Sequence, residues 1–256
     1  MNRALEKFHR GEKSVGTFTH MKSTVAIESM GYTGLDYVII DTEHFAVDGD
    51  FVGAAITAAD AAGITSFVRI NDCTRPAVLR PLDLGAKGLI VPAVESVEEV
   101  QRLIEYAKFA PLGNRGFCPT RDGGWGFDEI SRQSGSAYME RSNLETMLIP
   151  QCETAGALEH IEEIVAMNGV DGIFVGPNDL SIALGCPLQM GAPPMLAALE
   201  RIRAACQKHG KPVLIFSGNA AAARADLEIG FDIVAIGLDV MVLIQAYRNI
   251  VDEIQK

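Results

Sequence analysis

Four short runs in this chain, YVII at 37–40, GLIV at 88–91, GIFV at 172–175 and DIVAI at 232–236, are almost wholly apolar. A strand with one wet face alternates apolar and polar residues. A strand without alternation is covered on both faces, the mark of a parallel sheet packed between helices. The same pattern gives eight strand candidates: Val15–Thr19, Leu35–Ile40, Ser66–Ile70, Gly88–Val91, Thr146–Pro150, Gly172–Val175, Pro212–Phe216 and Ile233–Ile236. Helical spacing of apolar residues fills the gaps, at Val25–Met30, Phe51–Ala62, Arg75–Leu84, Val97–Phe109, Leu158–Met167, Pro194–His209 and Ala220–Ile229. Gly63, Gly85, Gly169, Gly210 and Gly230 follow helices, where a left-handed cap is expected. Strand–helix–glycine punctuation with eight strands predicts an α/β protein built as a single (β/α)8 TIM barrel over residues 1–256. An open doubly wound sheet is the alternative, but no GxGxxG follows the first strand.

The balance of 22 Lys and Arg against 33 Asp and Glu gives a net charge of -11. With no positive field to attract phosphates, nucleic acid is not an expected partner, and neither is an anionic membrane surface. The most apolar window, Ile229 to Tyr247, is broken by Asp232 and Asp239 and reads as a buried strand and a helix rather than a membrane span. Five scattered cysteines with no CxxC pair favour free thiols in a reducing cytoplasm over disulfides or a thiolate zinc site. The polar start MNRALEKFHRGEKS has no apolar core of a secretory leader.

One long irregular stretch, Pro111 to Gly135, holds the sole tryptophan, Trp125, with Arg115 and Arg121, and loops of that length in a barrel are usually functional or disordered. The final helical segment, Val240–Ile254, carries an apolar stripe at Leu243, Tyr247, Ile250, Val251 and Ile254, with Val242, Ile244 and Ala246 beside it. One face packs on the barrel; the second is either buried as well or covered by a partner subunit.

In a barrel the active site forms where strands end at their carboxyl side. The second strand runs into Asp41, Thr42, Glu43 and His44; the third ends in Val68, Arg69 and Ile70; the fifth runs into Gln151, Cys152 and Glu153; the sixth into Gly176, Pro177, Asn178 and Asp179. Carboxylates from neighbouring strands, Glu153 and Asp179, suit a hard divalent cation such as Mg²⁺ or Mn²⁺, or are simply solvated acids at loop starts. His44, three residues after Asp41, is either a proton carrier oriented by a carboxylate or a structural loop histidine; His20 after the first strand also reaches for the rim. An arginine at a strand end, Arg69, implies an anionic ligand or an internal ion pair. No GxSxG elbow, Walker loop or HExxH is present, and Lys87 and Lys211 flank strands at the wrong end for imine chemistry.

Taken together, DYVIIDTEH (36–44), VRIND (68–72), LDLGAKGLIVP (82–92), GNRGF (113–117), IPQCET (149–154), VDGIFVGPNDLSIALG (170–185) and FDIVAIGLDV (231–240) resemble the HpcH/HpaI family of metal-dependent pyruvate aldolases. That family includes 4-hydroxy-2-oxoheptanedioate and 2-keto-3-deoxy sugar-acid aldolases, and the motifs run through nearly the whole chain in order. The resemblance implies a class II aldolase that cleaves a 4-hydroxy-2-keto acid to pyruvate and an aldehyde. It implies Glu153 and Asp179 as ligands of Mg²⁺ or Mn²⁺, with Co²⁺ as a further option, and a pyruvate enolate stabilised by that metal. Arg69 would stabilise the enolate oxygen, His44 would act as acid/base with Asp41 orienting it, and Asp83 would reach a neighbouring subunit's site. Gln151 and the Gly176–Pro177–Asn178 turn would bind substrate. A homo-oligomer, trimer or hexamer, exchanging its last helix is implied as well. Phe45 stands where many relatives have a small residue, and the loop GFCPTRDGGWGFDE differs in detail; both are expected beside the aldehyde half of the substrate. Two other readings compete: an acyl-CoA thioester lyase of a related barrel, for which no basic cluster is seen, and a non-catalytic oligomeric binding protein.

Overall fold

The structure, a computed structural model, describes residues 2–256. Eight parallel strands close into a barrel in sequence order. They are β1 (Ser14–Thr19), β2 (Tyr37–Asp41), β3 (Thr65–Arg69), β4 (Gly88–Val91), β5 (Met147–Cys152), β6 (Ile173–Val175), β7 (Val213–Ser217) and β8 (Ile233–Leu238). The helices, in chain order, are α1 (Arg3–His9), α2 (Thr24–Met30), α3 (Gly49–Ala61), α4 (Arg75–Asp83), α5 (Val97–Ala107), α6 (Gly135–Glu145), α7 (Ala155–Glu159), α8 (Ile161–Ala166), α9 (Pro177–Ala183), α10 (Pro193–Lys208), α11 (Ala220–Ile229) and α12 (Asp239–Ile254). All eight expected strands are present, and each of the five glycines expected to cap a helix has a positive φ.

The apolar strands sort their residues into two cores. Tyr37, Ile39, Phe67, Ile90, Ile149, Phe174 and Leu214 fill the barrel interior, while Val38, Ile40, Val68, Leu89 and Val91 pack outward against the helices. Period-two alternation therefore survives, hidden because both faces are apolar. Gly16 has no side chain for a packing reason: a Cβ there would lie 2.5 Å from the Tyr37 ring.

The helices depart from the expectation in several places: α9 follows β6 where no helix was expected, and α12, expected to pack one face on the barrel, is exposed in the single chain from Met241 onward. α1 begins with Asn2, whose side chain caps it and donates to the carbonyls of Lys87 and Glu145, and its Ala4 is buried under the barrel interior. α6 lies between the irregular stretch and the fifth strand, where no helix was expected; it buries only Tyr138 and Ser142, too narrow a stripe to register as helical period. The segment Leu158–Met167 is two short helices, α7 and α8, meeting at His160. The long loop also differs. Helix α5 returns the chain to the N-terminal end of the strands, so the loop packs there, with Arg121 on Asp60 (2.7 Å) and Asp122 on Lys87 (2.6 Å). Within its own chain it does not border the opposite rim, where the aldehyde half of the substrate was expected. It contains a 3₁₀ turn, Arg121–Gly126.

Candidate active site

The inward positions of each strand, continued two residues past the last apolar one, reach the C-terminal rim. Phe18 leads to His20, Ile39 to Asp41, Phe67 to Arg69, Ile149 to Gln151 and then Glu153, and Phe174 to Gly176. His20, Arg69, Gln151 and Gly176 line a cavity of about 170 Å³ together with His44, Asn178 and Asp179, while Asp41 and Glu153 bond to Arg69 and Gln151 from behind that wall. Its floor is aromatic: Phe18 meets Phe174 and Phe216 edge to face, with ring centroids 6.0 Å apart in each case.

Arg69 is half of a fixed ion pair. Its Cα neighbour across the β2–β3 ladder is Asp41, and two bonds join the side chains, Nε to Oδ1 (2.9 Å) and Nη2 to Oδ2 (2.6 Å). The guanidinium lies 4.7 Å from the Phe18 ring centroid, and Nη1 is 3.1 Å from Glu43 Oε2. Asp41 is fully buried; burial alone would raise its carboxyl, but the Arg69 hydrogen bonds and charge, the Glu43 N–H and His20 hold it below its ordinary range.

This corrects the expected partnership of Asp41 with His44. The Asp41 carboxylate lies 2.7 Å from His20 Nε2, and His44 meets it only through its backbone N–H at 3.5 Å. The reason is register: Thr19 of β1 stands opposite Ile40 of β2, so the next residues, His20 and Asp41, emerge side by side. His44 is carried outward by its loop; its side chain is 64% exposed, with Glu43 Oε2 at 3.8 Å.

Across the cavity, Glu153 is buried, with Oε1 accepting from the Ala93 N–H (2.8 Å) and Oε2 from the Gln151 amide. Burial pushes its carboxyl up, and the nearby charges of Glu43 and Asp179 push the same way. Burial likewise raises Glu43, against the pull of Arg69. Gly176 is required here, because a Cβ would collide with Glu153 Oε2. Gln151 Oε1 is buried with no hydrogen-bond partner. An orphaned oxygen beside two like-charged carboxylates is a donor set that fits a hard cation. No cluster of three or more His, Cys, Asp or Glu is assembled among the described residues, so such an ion would draw on Glu153, Asp179 and non-protein oxygens.

Asp83 is not brought to this cavity by its own chain. It ends α4 near the opposite rim and pairs with Arg115 (3.0 Å). Lys87 and Lys211 lie at the N-terminal rim as expected, and no lysine lines the cavity.

The sequence model of the HpcH/HpaI aldolase/citrate lyase family matches residues 14–246. The chain belongs to this family. Similarity to individual relatives is spread over nearly the full length. A hydroxypyruvate/pyruvate aldolase of Rhizorhabdus wittichii is 30% identical over 98% of both chains. A 5-keto-4-deoxy-D-glucarate aldolase of Klebsiella pneumoniae is 30% identical over 94% of this chain and 92% of its own. Among solved structures, an HpcH/HpaI aldolase/citrate lyase family protein from Burkholderia cenocepacia superposes with a TM-score of 0.90 at 29% identity, covering 100% of each chain. As an HpcH/HpaI member whose relatives are aldolases, this protein is a carbon–carbon lyase on the closed eight-stranded barrel. No helix among the described residues is long and apolar enough to cross a membrane.

Proposed function

We propose that this protein is a divalent-metal-dependent, class II aldolase that reversibly cleaves a 4-hydroxy-2-keto acid to pyruvate and an aldehyde. The observation that carries the reading is one cavity with a half-buried, carboxylate-locked arginine in its wall and Gln151 and Asp179 lining it as well, with the buried Glu153 bonded to Gln151 behind them. Names of the relatives, a hydroxypyruvate/pyruvate aldolase and a keto-deoxy-glucarate aldolase, support it.

Glu153 and Asp179 would hold Mg²⁺ or Mn²⁺, and Co²⁺ is compatible with the same oxygens. Such an ion supplies Lewis-acid stabilisation of negative charge on the keto oxygen. Arg69 does the same from the protein side: it is held by Asp41 before substrate arrives, so its charge needs no reorganisation as the enolate forms. The Gly176–Pro177–Asn178 turn lines the cavity where the keto-acid carboxylate would sit, and Gly176 leaves room there. The aromatic floor keeps water from the enolate face. A lysine-based imine route lacks a lysine in the cavity.

We further propose a homo-oligomer, trimer or hexamer, that exchanges α12. Val242, Leu243, Tyr247, Ile250, Val251 and Ile254 of that helix are exposed in the single chain, an apolar surface that a second copy would cover.

The test is a screen of hydroxy-keto acids with pyruvate detection. Pyruvate release from at least one of them is expected. No release from any 4-hydroxy-2-keto acid in the presence of Mg²⁺ or Mn²⁺, or a borohydride-reducible imine on the protein, contradicts the proposal.

A further inference from the structure

Strand β8 carries one residue more than its neighbour β1 at the cavity end. Gly16 pairs with Ala235 and Phe18 with Leu238, so two steps along β1 match three along β8. Gly237 accommodates the extra residue at φ +56°, a left-handed conformation that suits glycine. The bulge changes which side chains face inward. Ile233 and Ala235 point into the barrel, and the next to do so is Leu238, which lines the cavity. Asp239, the first residue of α12, follows it with the opposite orientation and lies over the end of β1.

Asp239 is buried, and its carboxylate is filled. Oδ1 accepts from the N–H groups of His20 (2.8 Å) and Val240 (2.7 Å). Oδ2 accepts from the Thr19 hydroxyl (2.6 Å) and the Met21 N–H (3.2 Å). A carboxylate has about four acceptor sites, so none is left over. Only the Val240 bond serves the start of the helix. The others hold consecutive residues, Thr19, His20 and Met21, where the chain leaves β1. Charge-assisted bonds in a buried setting are the strong ones, and a set of them on one turn fixes its backbone.

From that turn the contact runs on into the site. The His20 ring stacks on Phe45, with centroids 5.5 Å apart and planes 8° from parallel. Its Nε2 lies 2.7 Å from Asp41 Oδ2, the oxygen that also takes Arg69 Nη2 at 2.6 Å. The Asp41 carboxyl is held below its ordinary range, so it is ionised and His20 donates to it. Oδ2 is thus gripped from both sides, by β3 through Arg69 and by the end of β1 through His20. Its place, and with it that of the guanidinium, depends on where the turn after β1 stands.

We propose that Asp239 is a positioning residue for the lyase reaction: through His20 and Asp41 it sets the place of Arg69 at the keto oxygen. The proposal rests on the aldolase reading, in which Arg69 stabilises the enolate. Asp239 touches no substrate and moves no proton. Its part is to hold the arginine where charge develops, and a preorganised group loses rate when it is displaced by as little as about 1 Å. The loss falls on kcat and leaves KM near its wild-type value, because the interaction is made in the transition state. Since α12 starts at Asp239, the seating of that helix and the geometry of the site share one carboxylate.

The experiment is a double-mutant cycle on pyruvate release from a 4-hydroxy-2-keto acid in the presence of Mn²⁺. It compares wild type, Asp239→Asn, His20→Ala and the double variant, each as protein that keeps the wild-type sedimentation profile. Asp239→Asn is expected to lower kcat about 10- to 100-fold and to change KM less than about threefold. In the His20→Ala background the same substitution should cost less than about twofold, because the route to Arg69 is already cut. Equal costs in the two backgrounds would make Asp239 a support of the fold in general and overturn the proposal. Wild-type kcat in Asp239→Asn, a loss seen in KM alone, or a loss confined to dissociated protein overturns it too. Where Asp239→Asn does not fold, Thr19→Val decides. Removing that hydroxyl should lower kcat about threefold or more in wild type and have no effect in His20→Ala, and a loss that persists there contradicts the proposal. Failure of the aldolase reading looks different: wild type then releases no pyruvate from any 4-hydroxy-2-keto acid.

Discussion

The two rims of this barrel treat their charged side chains in opposite ways. At the N-terminal rim the charges are closed off. Lys108 is 1% exposed and gives its ammonium to Asp171 (2.7 Å) and to the carbonyls of Asn143 (3.0 Å) and Thr146 (2.6 Å). Lys211 caps the carbonyls of Val165 and Met167, and Asp36 takes Lys7. At the C-terminal rim the pairing stops short. Asp41 and Arg69 are locked, but Glu153 and Glu43 sit with raised carboxyls facing Asp179, and Gln151 Oε1 has no partner. One rim spends its charges on holding the fold together; the other leaves them facing a cavity. At the open rim the buried oxygens with no hydrogen-bond partner, Glu43 Oε2 and Gln151 Oε1, lie beside further carboxylates, a set that a cationic ligand would complete.

The contrast can be broken by substitution, and the largest effect is expected at the open rim. Arg69→Ala removes the one arginine or lysine among the described residues lining the cavity and should lower kcat of the folded protein for pyruvate release by about 10³-fold, in line with loss of a preorganised oxyanion donor, alongside a fall in Tm because Asp41 is left buried without its partner. Parity of activity with wild type would show that the arginine only braces Asp41. At the closed rim, Lys108→Met leaves the half-buried Asp171 and the carbonyls of Asn143 and Thr146 without their buried donor. Chemical denaturation should report a loss of about 3–5 kcal/mol, typical of breaking a buried pair. Should the two substitutions exchange these signatures, the distinction between the rims fails.

Smaller changes sharpen the comparison. Gly176→Ala drives a methyl into Glu153 and should reduce activity about 10²-fold through displacement of the carboxylate, measurable alongside weakened Mn²⁺ binding by calorimetry. The smallest effect concerns pH. Asp41 has a carboxyl lowered in the folded state relative to an unfolded value of about 3.9, so its contribution to stability is complete above that value. It is lost as pH falls through the lower, folded value. Asp41→Asn should therefore flatten the decline of Tm below about pH 4, and an unchanged acid limb would mean that the Arg69 pair adds no stability.

The barrel was legible in the sequence because strands buried on both faces cannot hide their apolar runs, and the helix-capping glycines separate them. The residues of the rim were legible for the same reason: each follows an apolar run directly. Their pairing was not. Asp41 and His44 are close in sequence and invite a local pair, yet Asp41 is joined to neighbours from the adjacent strands, His20 just past the end of β1 and Arg69 on β3. Continuing the inward alternation Gly16, Phe18, His20 was the signal that would have paired His20, rather than His44, with Asp41. Helix α6 stayed hidden because Tyr138 and Ser142 make too little of a stripe. The position of the loop at 111–134 depends on α5 running back to the N-terminal rim, a three-dimensional fact that its arginines and tryptophan do not announce.

The central claim is that the open carboxylates of the C-terminal rim await a divalent ion. It is tested most directly by pyruvate release from a 4-hydroxy-2-keto acid, using protein stripped with EDTA and then resupplied with Mg²⁺ or Mn²⁺, in wild type and Glu153→Gln. The account predicts no activity in the stripped protein, recovery on adding metal to wild type, and little recovery in the variant. Full activity in the thoroughly stripped wild type would contradict it.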